Sequence, residues 1–279
     1  MKTKFVLFIG LMFALASIGF GQSVKITSKK VTYKRTGANV PEHKQTFEIN
    51  YPKIAGATGK KIEAVLSYEK NFDFKIAEEI KEIYWLESAD YTVNYNNHNI
   101  LDVTLFIEGS GAYPSGSSKY LIVNSKTGTR VKPSDVFTNL NGLAALGRKM
   151  QQAEIKAETA RIKKDEPDFD PAEYFNDAKF TADNLWAFTV SEKGLTFHYD
   201  YGFPHVAQAL QPDGEYFFSW AELKPFIKKE GLFGRFVKQL SANSYQLSAI
   251  SYQLSANSYQ LSVISYQLSS EGKKLKATR

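Results

Sequence analysis

Residues 91–109 read YTVNYNNHNILDVTLFIEG. Tyr91, Val93 and Tyr95 alternate with polar residues, Asn96 to Asn99 supply a turn, and alternation resumes at Leu101, Val103, Leu105 and Ile107. Period-two patterning on both sides of an Asn-rich turn predicts an antiparallel hairpin with one face buried. The following stretch GSGAYPSGSS (109–118) reads as a Gly- and Ser-rich loop, and KYLIVNSKTGTRV (119–131) as a second hairpin turning at Lys126 to Gly128. The chain is therefore built around antiparallel sheet.

Upstream, Phe47, Ile49 and Tyr51 alternate in TFEINYP, a strand expected to stop at Pro52. From Gly59 to Trp85, apolar residues such as Ile62, Val65, Leu66, Phe72, Ile76, Ile80 and Ile83 recur three and four apart, which predicts one helix. A second helix is expected where Leu143, Leu146, Met150, Ala153, Ala157 and Ala160 repeat, ending at Lys163, Lys164 and Pro167, with a polar connector from Asp165 to Pro171. LWAFTVSEKGLTFHYDYG (185–202) gives two aromatic strands joined across Glu192 to Gly194, and EYFFSWAEL (215–223) gives one more. Antiparallel hairpins with two main helices packed on one face make an α+β fold. Residues 22–237 form the domain, with a division into 22–90 and 91–237 as the finer expectation.

Lys2 and Lys4 precede an apolar run from Phe5 to Phe20, and Gly19 and Gly21 suit cleavage before Gln22, so residues 1–21 read as a secretory signal peptide. The run is shorter than the roughly 20 residues that span a bilayer, so no transmembrane span is expected after cleavage. The mature protein is expected to be periplasmic or extracellular. With no cysteine in the chain, disulfides, thiol catalysis and a lipidated cysteine are excluded. The formal charge of +6 lies at the ends: Lys2, Lys4 and Lys238, with four basic residues and one acidic among the last nine, leave residues 22–237 neutral. A nucleic-acid binder needs a basic footprint on its folded domain, and that class is set aside.

Residues 238–279 hold a tail in which SYQLSAISYQLSANSYQLSVISYQLSS (244–270) repeats every seven residues, with Tyr245, Tyr252, Tyr259 and Tyr266 in step. Coiled-coil heptads require apolar positions three and four apart with charged flanks, and this segment has neither. The heptanucleotide AGCTATC, read three times in triplets, encodes Ser-Tyr-Gln-Leu-Ser-Ala-Ile, so the tail reads as a translated DNA repeat. It is expected to be disordered, as uncharged low-complexity tracts are. A locus without a heptanucleotide period would defeat that reading, and a selected adhesive tail is its rival.

Three features together resemble a known family: Ser110-Gly111-Ala112-Tyr113-Pro114, the hairpin from Ser125 to Phe137, and the segment from Phe188 to Leu223. They are similar to the extracellular domain shared by RsiV-type anti-sigma factors and PdaC-type peptidoglycan deacetylases, over roughly residues 40–228. Tyr113 stands where many relatives have His, and Gly202-Phe203-Pro204-His205 where relatives often have a Tyr-Glu pair. Neither a deacetylase domain nor a cytoplasmic sigma-binding segment is evident. The resemblance implies an envelope domain without its usual effector, of a kind that binds lysozyme in RsiV-like proteins.

His198, Asp200 and His205 form the one grouping with metal-ligand chemistry, the weaker alternative to a structural role for these residues. Nucleophile-elbow, H-E-x-x-H and P-loop motifs are missing, and the carboxylate pairs Glu78/Glu79 and Asp168/Asp170 read as solvated surface. No cofactor is implied. Aromatic residues are the remaining lead: Phe188, Phe197, Tyr199 and Phe217 are expected to face inward, and Tyr113, Tyr201 and Phe203 are the candidate binding residues, Tyr113 foremost because it lies in a loop. The expected function is non-catalytic binding of a lysozyme-like muramidase or a peptidoglycan fragment. A metal-dependent envelope hydrolase and a structural protein with an adhesive tail are the alternatives.

Overall fold

The computed structural model describes residues 23–38, 40–242, 246, 250–255 and 258. The segment expected to be a signal peptide and most of the repeat tail lie outside them. A six-stranded sheet runs in the order β1 (Ile26–Lys34), β2 (Thr46–Ile54), β3 (Leu86–Asn97), β4 (Ile100–Ser110), β5 (Pro114–Asn124) and β6 (Thr129–Arg130). All neighbours are antiparallel except β2 and β3, which meet in parallel at Glu48↔Ser88 and Ile49↔Ala89. A second, antiparallel sheet comprises β7 (Phe188–Val190), β8 (Gly194–His198) and β9 (Glu215–Ser219). The fold is α+β, as the strand and helix patterns indicate.

The β3–β4 hairpin turns at His98 and Asn99, both with positive φ (57° and 62°), the conformation of a tight primed turn that Asn tolerates. A bulge between Val93 and Tyr95 breaks the alternation expected along β3. Tyr91 and Val93 border the core under the first sheet, whereas buried Tyr95 joins the core between the two sheets. The GSGAYPSGSS segment is mostly strand, with β4 and β5 paired out to Ser110↔Pro114 and only Gly111 to Tyr113 left at the tip. Pro52 does not end β2. It pairs with Ser28 of β1 in a part of β2 that β3 does not reach, so its missing N–H interrupts no second ladder.

One helix across Gly59–Trp85 would be about 40 Å long. The chain instead breaks it into α1 (Gly59–Val65), α2 (Tyr68–Phe72) and α3 (Ile76–Glu78), the last running on into a π-turn at Glu79–Ile83. Ser67 is extended and Asp73 and Tyr84 are left-handed at the breaks. Asn71 holds the first corner by donating to the Val65 and Ser67 carbonyls (2.8 Å each). These pieces press Ile62, Leu66 and Tyr68 onto Phe47, Ile49, Leu101, Val103 and Leu105 of the sheet. Because β1 and β2 share this core with β3–β5, no boundary between two cores falls near residue 90.

Two further helices, α4 (Pro133–Val136) and α5 (Leu140–Asp165), lead to the second sheet. Asn139 caps α5 through the Gly142 N–H (2.9 Å). Its inward face keeps the Leu143 and Leu146 part of the expected Leu/Met/Ala stripe, but Met150, Ala153, Ala157 and Ala160 are exposed. Ala144, Gly147 and Gln151 are buried beside Leu143. Gly147 lets the Phe180 ring approach to where a Cβ would lie 2.6 Å from it, and Gln151 accepts the Phe180 N–H at 2.7 Å. The connector after α5 carries buried Phe169 and then α6 (Pro171–Phe175), which with Ile162 and Phe203 form a small third core.

Phe188 and Phe197 face inward as expected, but Phe217 is 47% exposed while its neighbours Tyr216 and Phe218 are buried, so β9 points the other way round. After α7 (Trp220–Leu223) the chain returns through Phe233, Phe236 and Val237, all buried in the intersheet core, and residues 234–242 are helical with Leu240 packed on that core. In the tail, the described residues 250–255 are helical, with Ser255 Oγ donating to the Ser251 carbonyl one turn back. Ile250, Tyr252 and Leu254 of this stretch are exposed.

Candidate functional site

The β4–β5 arm extends beyond the point where the second sheet covers it. At the base of the arm Ile100, Asp102 and Ile122 are buried against that sheet, and Asp102 accepts the Val190 N–H of β7 (2.6 Å). Farther out on the same face lie Phe106, Glu108, Gly116, Ser118 and Tyr120, which line an open space. The small side chains of Gly116 and Ser118 leave a cleft of about 930 Å³ between the arm and β7–β9. Its opposite wall carries Asp183, Asn184 and Trp186 on one side and His198, Asp200, Gln208, Gln211, Asp213 and Glu215 on the other.

Two aromatic stacks tie the arm to that wall. Tyr120 lies flat on the His198 imidazole, with ring centres 4.0 Å apart and planes 4° apart. At the hairpin tip Tyr113, 64% exposed, stacks on His205 at 4.8 Å. Seven residues of strand separate the two tyrosines, about 23 Å at the usual rise. Only the inner part of β5 pairs with β6, through Val123 and Asn124, so backbone groups of Gly116 to Lys119 face the cleft from a free edge.

The wall is held from behind by Glu154 of α5. Its carboxylate accepts from Tyr201 Oη (2.8 Å), Tyr216 Oη (2.9 Å) and the Gly214 N–H (3.0 Å). Burial and this carboxylate push both phenols well above the usual tyrosine range. Glu154→Ala strips three donors of their acceptor, and is expected to cost about 1–3 kcal/mol. Urea unfolding measures it, and hydrogen exchange at Gly214 should rise alongside.

The expected site residues divide. Tyr113 is exposed at the arm's tip. Tyr201 is hydrogen-bonded to Glu154 and Tyr216, and Phe203, which lines the cleft, is 5% exposed and packed against Tyr174 and Phe175. His198 is nearly covered by Tyr120, bonds to Thr189 Oγ1 (3.1 Å), and burial pushes its pKa down to about 4. Asp200 accepts the Gly202 N–H to shape its own turn, and His205 belongs to the Tyr113 stack. Among the described residues no three His, Cys, Asp or Glu side chains converge where they could hold one metal ion. Of the carboxylates read as solvated, Glu79 is buried against Arg35.

Sequence reading missed Tyr120, Arg130, Trp186 and Asp183. Tyr120 and Trp186 were legible only as strand aromatics, and Arg130 as the end of a hairpin. What sets Arg130 apart is tertiary: its guanidinium lies 4.9 Å from the Trp186 ring centre.

No protein-family model and no curated protein matches the chain. Solved structures do. One is a DUF3298 family member from Bacteroides fragilis NCTC 9343, at 14% identity and TM-score 0.48, covering 77% of this chain and 98% of that one. Another is a DUF3298 family protein from Pseudomonas aeruginosa PAO1, at 14% identity and TM-score 0.43, covering 73% and 95%. Among the described residues no helix is long and apolar enough to cross a membrane.

Proposed function

We propose that this chain is a non-catalytic binding domain of the cell envelope whose arm-and-sheet cleft holds a short glycan, in the form of a peptidoglycan fragment. The observation that carries the reading is the composition of the cleft. The Trp186 face and the Tyr120 ring stand among amide and carboxylate side chains of Asn184, Gln208, Asp183 and Asp213, beside a free strand edge. Aromatic faces cover the apolar faces of a sugar ring, while amides, carboxylates and backbone groups meet its hydroxyl and acetamido groups. The volume, about 930 Å³, is at the upper end of what small-ligand sites offer. The export expected from the amino-terminal segment and the resemblance of the sequence to RsiV- and PdaC-type extracellular domains support such a ligand. His198 supports binding over metal chemistry, because its ring is stacked and hydrogen-bonded.

Calorimetric titration of the full-length chain with soluble muropeptides, and separately with a chicken-type lysozyme, tests the reading. Muropeptides are expected to bind with Kd near 1 μM, about −8 kcal/mol, and Trp186→Ala to weaken them at least about tenfold by removing the stacking face. Lysozyme binding without muropeptide binding would overturn the cleft reading and favour protein recognition.

A further inference from the structure

The cleft contains a cation with no counter-ion. Arg130 leaves the short edge strand β6 and its guanidinium rests over Trp186, which is 39% exposed. Among the described residues no carboxylate lies within ion-pair distance of Arg130, and its guanidinium donates no hydrogen bond to the protein. The cleft wall partly desolvates it, which pushes its pKa down from the usual arginine value without discharging it. Of the cleft carboxylates, Asp183 stands on the Trp186 side without pairing with Arg130, and Glu215 lies across the second sheet, opposite His198, whose backbone N–H donates to the Ala187 carbonyl next to Trp186. Two strand spacings, about 10 Å, therefore separate the Trp186 side from Glu215.

A guanidinium laid on an indole is oriented and keeps its outward N–H edge free, the geometry that takes a carboxylate through two parallel hydrogen bonds. Resting on the glycan reading of the same cleft, we propose that Arg130 and Trp186 form an acid-recognition subsite, so that the preferred ligand is a glycan carrying a carboxylate close to a sugar ring. Trp186 takes the ring and Arg130 the acid.

The test compares two probes of equal length in titrations of the full-length chain: the disaccharide of N-acetylglucosamine and N-acetylmuramic acid, which carries a lactyl carboxylate, and chitobiose, which carries none. The acidic disaccharide is expected to bind at least about tenfold more tightly, equivalent to ~1.4 kcal/mol, and Arg130→Gln to abolish that preference while leaving chitobiose binding and the melting temperature in place. Arg130→Lys should restore it only in part, because an ammonium cannot form the bidentate pair. Equal wild-type affinities would overturn the acid subsite and leave the glycan reading standing. A preference that survives in Arg130→Gln would overturn the assignment to Arg130. Binding of neither probe would overturn both readings.

Discussion

Arg35→Ala is expected to be the most damaging single substitution in the described chain, lowering the unfolding free energy by about 3–5 kcal/mol. The Arg35 side chain is fully buried and Glu79 nearly so. Removing the cation strands the Glu79 carboxylate in a site where its other oxygen contacts are the Trp85 and Leu86 N–H groups (3.0 Å each). More is lost than an ion pair. The guanidinium also donates to the backbone carbonyls of Lys44 (2.7 Å), Glu79 (3.1 Å) and Leu86, and lies 4.8 Å from the Phe47 ring centre. It thereby clamps the ends of β1 and β2 to the π-turn and to the first residue of β3. Replacing a simple buried pair by apolar residues is often harmless. Here the double variant Arg35→Leu with Glu79→Leu should remain destabilised, because three buried carbonyls lose their donor. Urea unfolding of the two variants decides between clamp and pair: recovery of wild-type stability in the double variant would sink the clamp.

Asp102→Asn is expected to change how stability depends on pH. Asp102 is wholly buried where β4 meets β7, accepting from Val190 N–H and from Asn94 Nδ2 (3.0 Å). Burial outweighs those bonds and raises its pKa to about 7. The folded chain thus binds a proton that the unfolded chain has released above about 4. The associated stability is fully present below that point and is lost as pH rises to about 7, a fall on the order of 4 kcal/mol. His198 and His98 act in the opposite sense. Burial lowers both pKa values, so their contribution is lost as pH falls through the unfolded-state value near 6.5 toward about 4 for His198. The two slopes oppose one another in the wild type between roughly pH 4 and 6.5. In Asp102→Asn the histidine slope should stand alone, with stability rising over that interval. In His198→Asn the fall carried by Asp102 should become visible. Denaturant titrations at pH 4.5, 6.5 and 8 read both, and parallel curves for wild type and Asp102→Asn would refute the assignment.

The elements legible in the sequence were those whose signal is local. Residues 91–109 form the hairpin their alternation predicts because each side chain's face is set by its own strand and the turn by its own Asn residues. The helical stripes failed where polar residues turned inward. Gln151 and Glu154 occupy the buried side of α5 because Phe180 and Gly214 bring N–H groups to them, and hydrophobic periodicity cannot register a polar residue that is buried with a partner. Glu79 was misread for the same reason, its partner lying 44 residues away.

The candidate site was less legible still. Tyr113 could be singled out because Gly and Ser flank it, whereas Phe203 could not be told from an exposed aromatic until α6 was seen to cover it. Sequence alone determined the antiparallel α+β character, the neutral domain between charged ends, the export-type amino terminus as an expectation, and the seven-residue register of the tail. Tertiary structure decided the rest: that Gly116 and Ser118 open a cleft, that Trp186 and Arg130 meet across more than fifty residues of chain, and that Asp102 is sealed between two sheets. Alternation, capping and turn chemistry act between neighbours in the chain, while burial, ion pairing and cleft formation depend on segments that only folding brings together.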